Sequence, residues 1–430
     1  MKPLVSLVKY TGSPDSLKDA LTLCGGFDRL DAHAKVLIKP NLVTWDDQYT
    51  IAPFGVYTTT RLIEDLIILL KDCGCNDISI GEGSVEFIKG VGTMAAYEGL
   101  GYTSLVKKYG ITLLDFNAGD SATIKTPNGL TLRVAQEAVE SDFLINVPVL
   151  KTHAQTKVSL GLKNLKGCLK TSSKKLCHHV GLGLENCFTF VADYAKPSLT
   201  IVDGIYALER GALHFGNAFR KDIIVASRNI LAADMVAAKT IGFNPEDIPH
   251  FVAYGTRHNK SLTLSDYEIR GEALENHVQP LKWDWGWTKD NTGPSVFEKF
   301  GVTGTAVPKY DETLCSGCSP FANMVNILVL SAFKGEPLPN VEILNGKKMQ
   351  ARPGYEKTIL IGNCIISANK ENENIRKAIN VTGCPPGHDD VIAALRETGI
   401  NIHEGTYWTY LTQQAEKYDN QEAYSWDFYK

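Results

Sequence analysis

Four cysteines in three short settings carry the clearest chemical signal of the chain: Cys315-Ser316-Gly317-Cys318, Gly362-Asn363-Cys364 and Gly383-Cys384-Pro385-Pro386. Thiolate sulfur is the ligand that holds iron–sulfur clusters, and a C-x-x-C pair lets one tight turn offer two sulfurs to neighbouring irons. Gly317 gives that turn its backbone freedom. Cys315, Cys318, Cys364 and Cys384 could together hold a [4Fe–4S] cluster, the other readings being a four-thiolate zinc ion and four ordinary cysteines. The run 358–362 reads as a buried strand ending in a turn before Cys364. Cys384 precedes two prolines and the helical pattern 388–395, which opens with acids and is closed by Gly399. Ligands at a strand end and at a helix start share one edge of an α/β sheet. The positive end of the helix dipole there would stabilise a thiolate or an anionic cluster.

A second group is basic and amide-rich. Lys39, Asn41, Lys151, His153, Lys163, Asn164 and Lys166 fall in strand-end turns and in the opening of a helix, with the pair His178-His179 just beyond. Lysines converging at the carboxyl edge of a parallel sheet favour a small anionic substrate, bound through carboxylate or phosphate and oriented by amides. Imidazole titrates near neutrality, so the histidines are the natural proton carriers. Adjacent residues of an extended segment point apart, and at most one of His178 and His179 is expected to be catalytic. Asp203, at a strand end, could ligate a cation or hold a lysine. His214, His250 and His258 read as ordinary hydrogen-bond partners, and Cys168, Cys177 and Cys187 are spaced too loosely for a second cluster.

The elements that position these groups alternate strand and helix. Strands are expected at 4–8, 35–39, 77–80, 111–116, 142–148, 200–203 and 222–226, with helices at 14–24, 58–71 and 230–241. A hairpin is expected around Asn128-Gly129. This order predicts an α/β fold: a mixed or parallel sheet in an N-terminal domain (1–250), a connecting segment (251–307) and a smaller α/β iron–sulfur domain (308–430). Gly81-x-Gly83 could open a phosphate-cradling turn, but the third glycine of the dinucleotide fingerprint is missing. Trp283, Trp285 and Trp287 alternate, and packing is the favoured reading over a substrate wall.

Composition narrows the function. The chain has 430 residues, 44% of them hydrophobic, and a net charge of −4, which speaks against a general nucleic-acid binder. No run approaches the length of a membrane span and the N-terminal apolar stretch is too short for a signal sequence. A cytoplasmic location is expected, where ten cysteines stay reduced or bind metal. An oxygen-poor cell, as in an anaerobe, would suit an exposed cluster.

Two resemblances follow from these motifs. The series C-x-x-C, G-x-C, G-C-P-P over about 308–410 resembles the proximal-cluster domain of nickel–iron hydrogenase small subunits and of the related subunit of respiratory complex I. That resemblance implies one [4Fe–4S] cluster on the four cysteines. The Lys39-to-Asn41 turn, N-V-P-x-L-K-T-H, G-L-K-N-L-K-G, His178-His179 and the Asp203-Gly204-Ile205 turn resemble the family catalogued as domain of unknown function 362, over about 1–250. The segment 209–214 departs from that family's shorter loop. The resulting expectation is an iron–sulfur oxidoreductase passing electrons from a single cluster to a small anionic substrate. An external donor such as a ferredoxin is implied, because no flavin or nicotinamide fingerprint is present. A homo-oligomer is compatible with the sequence. The alternatives are a non-redox cluster-dependent lyase or dehydratase, and a non-enzymatic electron-carrier subunit of a redox complex.

Overall fold

The computed structural model describes residues 2–45, 51–86, 91–127, 129–211 and 213–430, with the backbone alone at 214. Phe87, Asn128 and the His214 ring lie outside the described residues. The chain forms two compact units: unit 1 comprises Met1–Leu176, Glu185–Asp284 and Gln414–Lys430, and unit 2 comprises Cys177–Leu184 and Trp285–Gln413. Compared with the division read from sequence, the C-terminal stretch 414–430 joins unit 1 and the short stretch 177–184 joins unit 2.

Unit 1 is built on a mixed sheet. Its strands are β1 (Leu4–Lys9), β2 (Val36–Lys39), β3 (Ile78–Glu82) and β4 (Thr112–Asp115); a separate hairpin pairs β5 (Ser121–Lys125) with β6 (Thr131–Ala135). The main sheet continues through β7 (Phe143–Asn146), β8 (Val149–His153), β9 (Lys157–Val158), β10 (Leu199–Glu209), β11 (Asn217–Ser227) and β12 (Glu268–Gly271). The order is β12-β1-β11-β10-β7-β2-β3-β4, with β8 beside β10 and β9 beside β8. β10, β7, β2, β3 and β4 run parallel, and β11 is antiparallel to both β1 and β10. β2 and β7 are buried along their whole length, as apolar runs covered on both faces must be. Their carboxyl ends bring Lys39 and Asn146 side by side in register.

Sequence and structure differ most at β10 and β11. The expected strands at 200–203 and 222–226 are the inner halves of a longer antiparallel pair, irregular in register near Gly204. Asp203-Gly204 looks like turn chemistry, but the glycine is there for closeness. A Cβ at 204 would come within 2.7 Å of the Ile223 side chain and 2.8 Å of its carbonyl oxygen. The helix Pro14–Cys24 is capped as expected, with Ser13 accepting from the Asp15 N–H. The helix Thr60–Asp72 buries Leu62, Ile63, Leu66, Ile67 and Leu70, each contributing about 1.5–3 kcal/mol on full burial.

Unit 2 carries a four-stranded, all-parallel sheet of β13 (Thr305–Ala306), β14 (Val341–Asn345), β15 (Lys357–Ile361) and β16 (Ala378–Val381), paired in chain order. The helices Ser319–Ala332, Asn363–Ala368 and His388–Glu397 follow β13, β15 and β16. In the tryptophan segment, the Trp287 indole N–H donates to the Val307 carbonyl at 3.1 Å and its ring meets Tyr310 edge-on. That is a packing role. Among the described residues no helix is long and apolar enough to cross a membrane.

Candidate functional site

At the carboxyl edge of unit 1's parallel strands, a buried polar network replaces the apolar core. Lys39, fully enclosed at the end of β2, donates to Glu82 Oε2 at 2.7 Å, to the Pro40 carbonyl at 2.7 Å and to Asn164 Oδ1 at 3.2 Å. All three ammonium donors are thereby used. Glu82, at the end of β3, also accepts from the Leu42 and Gly83 N–H groups, 2.9 Å each. Asn164 accepts from Asn41 Nδ2 at 2.8 Å and donates to Asn146 Oδ1 at 2.9 Å. Lys151, one step further out on β8, donates to Asn41 Oδ1 and to the Val56 carbonyl, both at 2.6 Å. Burial pushes its amine down to about 7, the Lys39 charge adding to the effect and Glu82 opposing it.

The short helix Leu160–Asn164 presents Lys163 and Asn164. It has no side-chain cap of its own. Asp234, buried on the helix Ile230–Thr240, fills that need by accepting from the Gly161 N–H at 2.6 Å and the Leu162 N–H at 2.8 Å. Burial raises its carboxyl to about 7 against those two bonds. Leu160 and Lys157 both hold positive φ, 46° and 58°, a costly conformation for side-chain-bearing residues that tends to persist near sites. Lys163 is half-buried, and its Nζ makes no hydrogen bond or ion pair among the described residues. Burial, then the charges of Lys166 and Lys151, hold its amine well below the usual lysine range. Lys166, also half-buried, lies within reach of the charges of both Lys163 and Lys174.

The histidines separate. His153, at the end of β8, accepts the Gln155 N–H on Nδ1 at 3.2 Å. His178 and His179 belong to unit 2, where His178 is buried with Nδ1 2.8 Å from the Glu312 carbonyl and His179 is exposed. Asp203 accepts from the Thr59 N–H at 2.6 Å and the Ile205 N–H at 3.1 Å, and burial raises its carboxyl to about 6. His258 pairs with Asp193 at 2.7 Å, as an ordinary partner should. His250 is different: Nδ1 lies 2.5 Å from Glu185 Oε2, and the buried Nε2 has no partner among the described residues.

Sequence reasoning missed Glu82, Asn146, Asp234 and Lys174. Lys174 is buried, donates to the Gly83 carbonyl at 2.5 Å and to Asn117 Oδ1 at 3.0 Å, and is pushed down to about 7 by burial. Gly81-Glu82-Gly83 held the clue. Its glycines give room to Phe116 and to Lys174, and a Cβ at 83 would stand 2.6 Å from Lys174 Nζ. The acid between them was the residue to notice, since two glycines clear the space around it.

In unit 2 the four cysteines fall in the β-to-α connections of the parallel sheet. Cys315 and Cys318 follow β13, Cys364 follows β15, and Cys384 follows β16, so all lie at its carboxyl edge. Hydrogen bonding from Cys318 draws the Cys315 thiol down, the Gly317 and Cys318 N–H groups adding to it against burial. The Cys318 thiol is raised in turn, with the charges of Cys384 and Cys364 contributing. Gly362 and Gly383 have φ of 99° and 135°. A Cβ on Gly362 would come 3.3 Å from Cys318 Sγ, so the glycine leaves a cradle beside that sulfur.

Fold and site thus define a mixed α/β chain with a buried lysine–asparagine network in one unit and four grouped thiols in the other. Residues 36–239 match the family described as Domain of unknown function (DUF362), a span that contains every member of the lysine network. The chain is 28% identical over 243 residues to the Thylakoid-associated protein sll1697 of Synechocystis sp. (strain ATCC 27184 / PCC 6803 / Kazusa), covering 55% of this chain and 73% of that one. The lactate racemase apoprotein from Thermoanaerobacterium thermosaccharolyticum aligns with a TM-score of 0.37 at 16% identity, covering 55% of this chain. The chain spans 57% of that protein's length, and a likeness so weak defines neither fold nor function.

Proposed function

We propose that this chain is an oxidoreductase in which Cys315, Cys318, Cys364 and Cys384 hold a [4Fe–4S] cluster and the lysine network binds a small anionic substrate, carboxylate or phosphate. One observation carries the reading: four thiols share the carboxyl edge of one parallel sheet, with the Gly362 cradle beside Cys318. The resemblance of the cysteine series to hydrogenase small subunits agrees with it. When bound, such a cluster supplies single electrons. Four thiolate ligands would complete the coordination of all four irons, which disfavours the lyase alternative. The elaborate polar network of unit 1 disfavours a bare electron carrier. A ferredoxin-like protein is the proposed donor.

The residues of unit 1 divide the work by their commitments. Lys39, Glu82, Asn41, Asn146 and Asn164 are tied to one another and hold the frame. Among the described residues Lys151 keeps one donor unspent and Lys163 keeps its whole amine, so these, with the charge of Lys166, meet the anion. The Lys151 amine, at about 7, holds or releases a proton near neutrality, as a group that serves a reduction must.

Anaerobic purification with iron and sulfide analysis, followed by electron paramagnetic resonance before and after dithionite, tests the reading. About four irons and four sulfides per chain with a signal on reduction are expected. Zinc without sulfide would overturn it.

A further inference from the structure

Lysines in this network differ in how much of the amine is already spent. Lys39 uses three donors on internal acceptors, while Lys151 and Lys174 use two each. Lys163 spends none among the described residues. It sits beside Asn164, the amide that joins Lys39 to Asn41, on a helix held in place by Asp234. With three lysine charges against the one of Glu185, and no acceptor among the described residues, this amine gains little from being charged. It is then available as a nucleophile, because only the free amine carries a lone pair.

We propose that Lys163 forms a Schiff base with the carbonyl group of an anionic aldehyde, ketone or oxo acid. The inference rests on the anionic-substrate reading and names its chemical class. The step needs one proton and no oxidant or reductant. The amine nitrogen adds to the carbonyl carbon, the carbinolamine loses its oxygen as water, and a protonated imine remains, so that R–NH2, O=C and one proton give R–NH+=C and H2O. The lysines around it serve the anionic end of the substrate. Burial and the neighbouring charges hold the amine well below the usual lysine range, as in other enzymes that activate a lysine beside a second cation. The dehydration needs a proton carrier. Glu185, whose charge acts on Lys163, and His250, on which the Lys163 charge acts, form a hydrogen-bonded pair whose buried Nε2 has no partner among the described residues.

The test labels the full chain at pH 7 with pyridoxal 5′-phosphate and cyanoborohydride, and in parallel with uncharged pyridoxal, then maps modified lysines by peptide mass spectrometry. Lys163 is expected to be trapped on the order of tenfold faster or more than the exposed Lys18, with pyridoxal phosphate outpacing pyridoxal and sulfate slowing it. A Lys163→Arg protein should lose the adduct. Labelling no faster than at Lys18 would overturn the proposal, and if sulfate still binds, the anion reading survives alone. Equal labelling by the two aldehydes would overturn the anionic class for both readings. Because the native protein is mapped directly, the outcome does not depend on whether the variant folds.

Discussion

Lys39 Nζ lies 2.7 Å from Glu82 Oε2 with both side chains shut away from solvent, at the ends of the neighbouring parallel strands β2 and β3. Everything else in the network leans on this pair. Asn164 reads Lys39, Asn41 reads Asn164, and Lys151 reads Asn41.

Breaking the pair from one side should therefore be costly. In Glu82→Gln the Lys39 charge loses its counter-charge, and the amide nitrogen is forced against an N–H of Leu42 or Gly83. A buried pair broken this way costs about 3–5 kcal/mol. Urea unfolding should show that loss with an unchanged m-value. A loss below about 1 kcal/mol, typical of exposed pairs, would mean that the ion pair is dispensable.

Anion affinity should depend on pH through Lys151. Its folded-state pKa is depressed to about 7 from about 10.4 in an unfolded chain. Raising the pH from 6 to 8.5 removes its charge in the folded protein, so sulfate affinity should fall across that range. Stability moves the other way. Between about 7 and 10 the unfolded chain binds the proton that the folded one lacks, so this lysine's contribution to stability rises with pH. Lys151→Met should flatten the affinity profile, and calorimetric titration at several pH values checks it.

Asp234 gives the opposite sign. Its carboxyl is raised to about 7 in the fold, so its contribution is fullest below about 4 and is lost as pH rises through 7. Asp234→Asn keeps one acceptor for the helix 160–164 and cannot titrate. Wild type should therefore lose stability relative to Asp234→Asn between pH 4 and 7, at no more than about 1.4 kcal/mol per pH unit. Parallel pH-dependent melts of the two proteins would show any failure of that divergence.

Much of this was legible in advance where residue type and period agreed. The capped helix Pro14–Cys24, the buried β2 and β7, and the β5–β6 hairpin all announce themselves through turn, cap and alternation. Lysines and asparagines at strand ends could be assigned to one edge once the sheet was read as parallel. What stayed hidden is long-range. Nothing local tells that Lys174 reaches Gly83, or that Asp234, in a helix buried almost all round, caps a helix some seventy positions earlier. Asp203-Gly204 misled because it lies inside a continuous strand, where the carboxylate serves Thr59 across the fold as well as the nearby Ile205.

Gly362 makes a sharp test of the thiol group. Its φ of 99° strains any side chain, and an added methyl would press on Cys318 Sγ at 3.3 Å. Gly362→Ala should lower the iron and sulfide content of anaerobically prepared protein well below wild type. Sulfate binding should be kept, because the lysine network belongs to the other unit. Full iron loading would show that the cradle is not needed.

The C-terminal stretch offers the last test, because it packs behind the loop that frames the lysine network. Phe54 is ringed by Tyr418, Tyr424, Trp426 and Tyr429 at centroid distances of 5.7, 5.2, 6.3 and 6.2 Å. Tyr429 donates its hydroxyl to the Thr58 carbonyl at 2.9 Å, and Arg61 donates to the Phe428 carbonyl at 2.6 Å. From the same loop, Val56 accepts from Lys151 and Thr58 Oγ1 accepts from the Asn41 N–H at 2.7 Å. Tyr429→Phe removes one hydrogen bond and should cost about 1 kcal/mol, with sulfate affinity close to wild type. Removing 418–430 takes away the whole aromatic backing and should weaken sulfate binding on the order of tenfold, about 1.4 kcal/mol. Iron content should stay constant, since those residues are not part of unit 2. If the truncated chain bound sulfate as well as the full one, the bonds of the loop 51–59 to Asn41, Tyr102, Val147, Lys151 and Asp203 would be enough to hold it, and the C-terminal stretch would be mere packing.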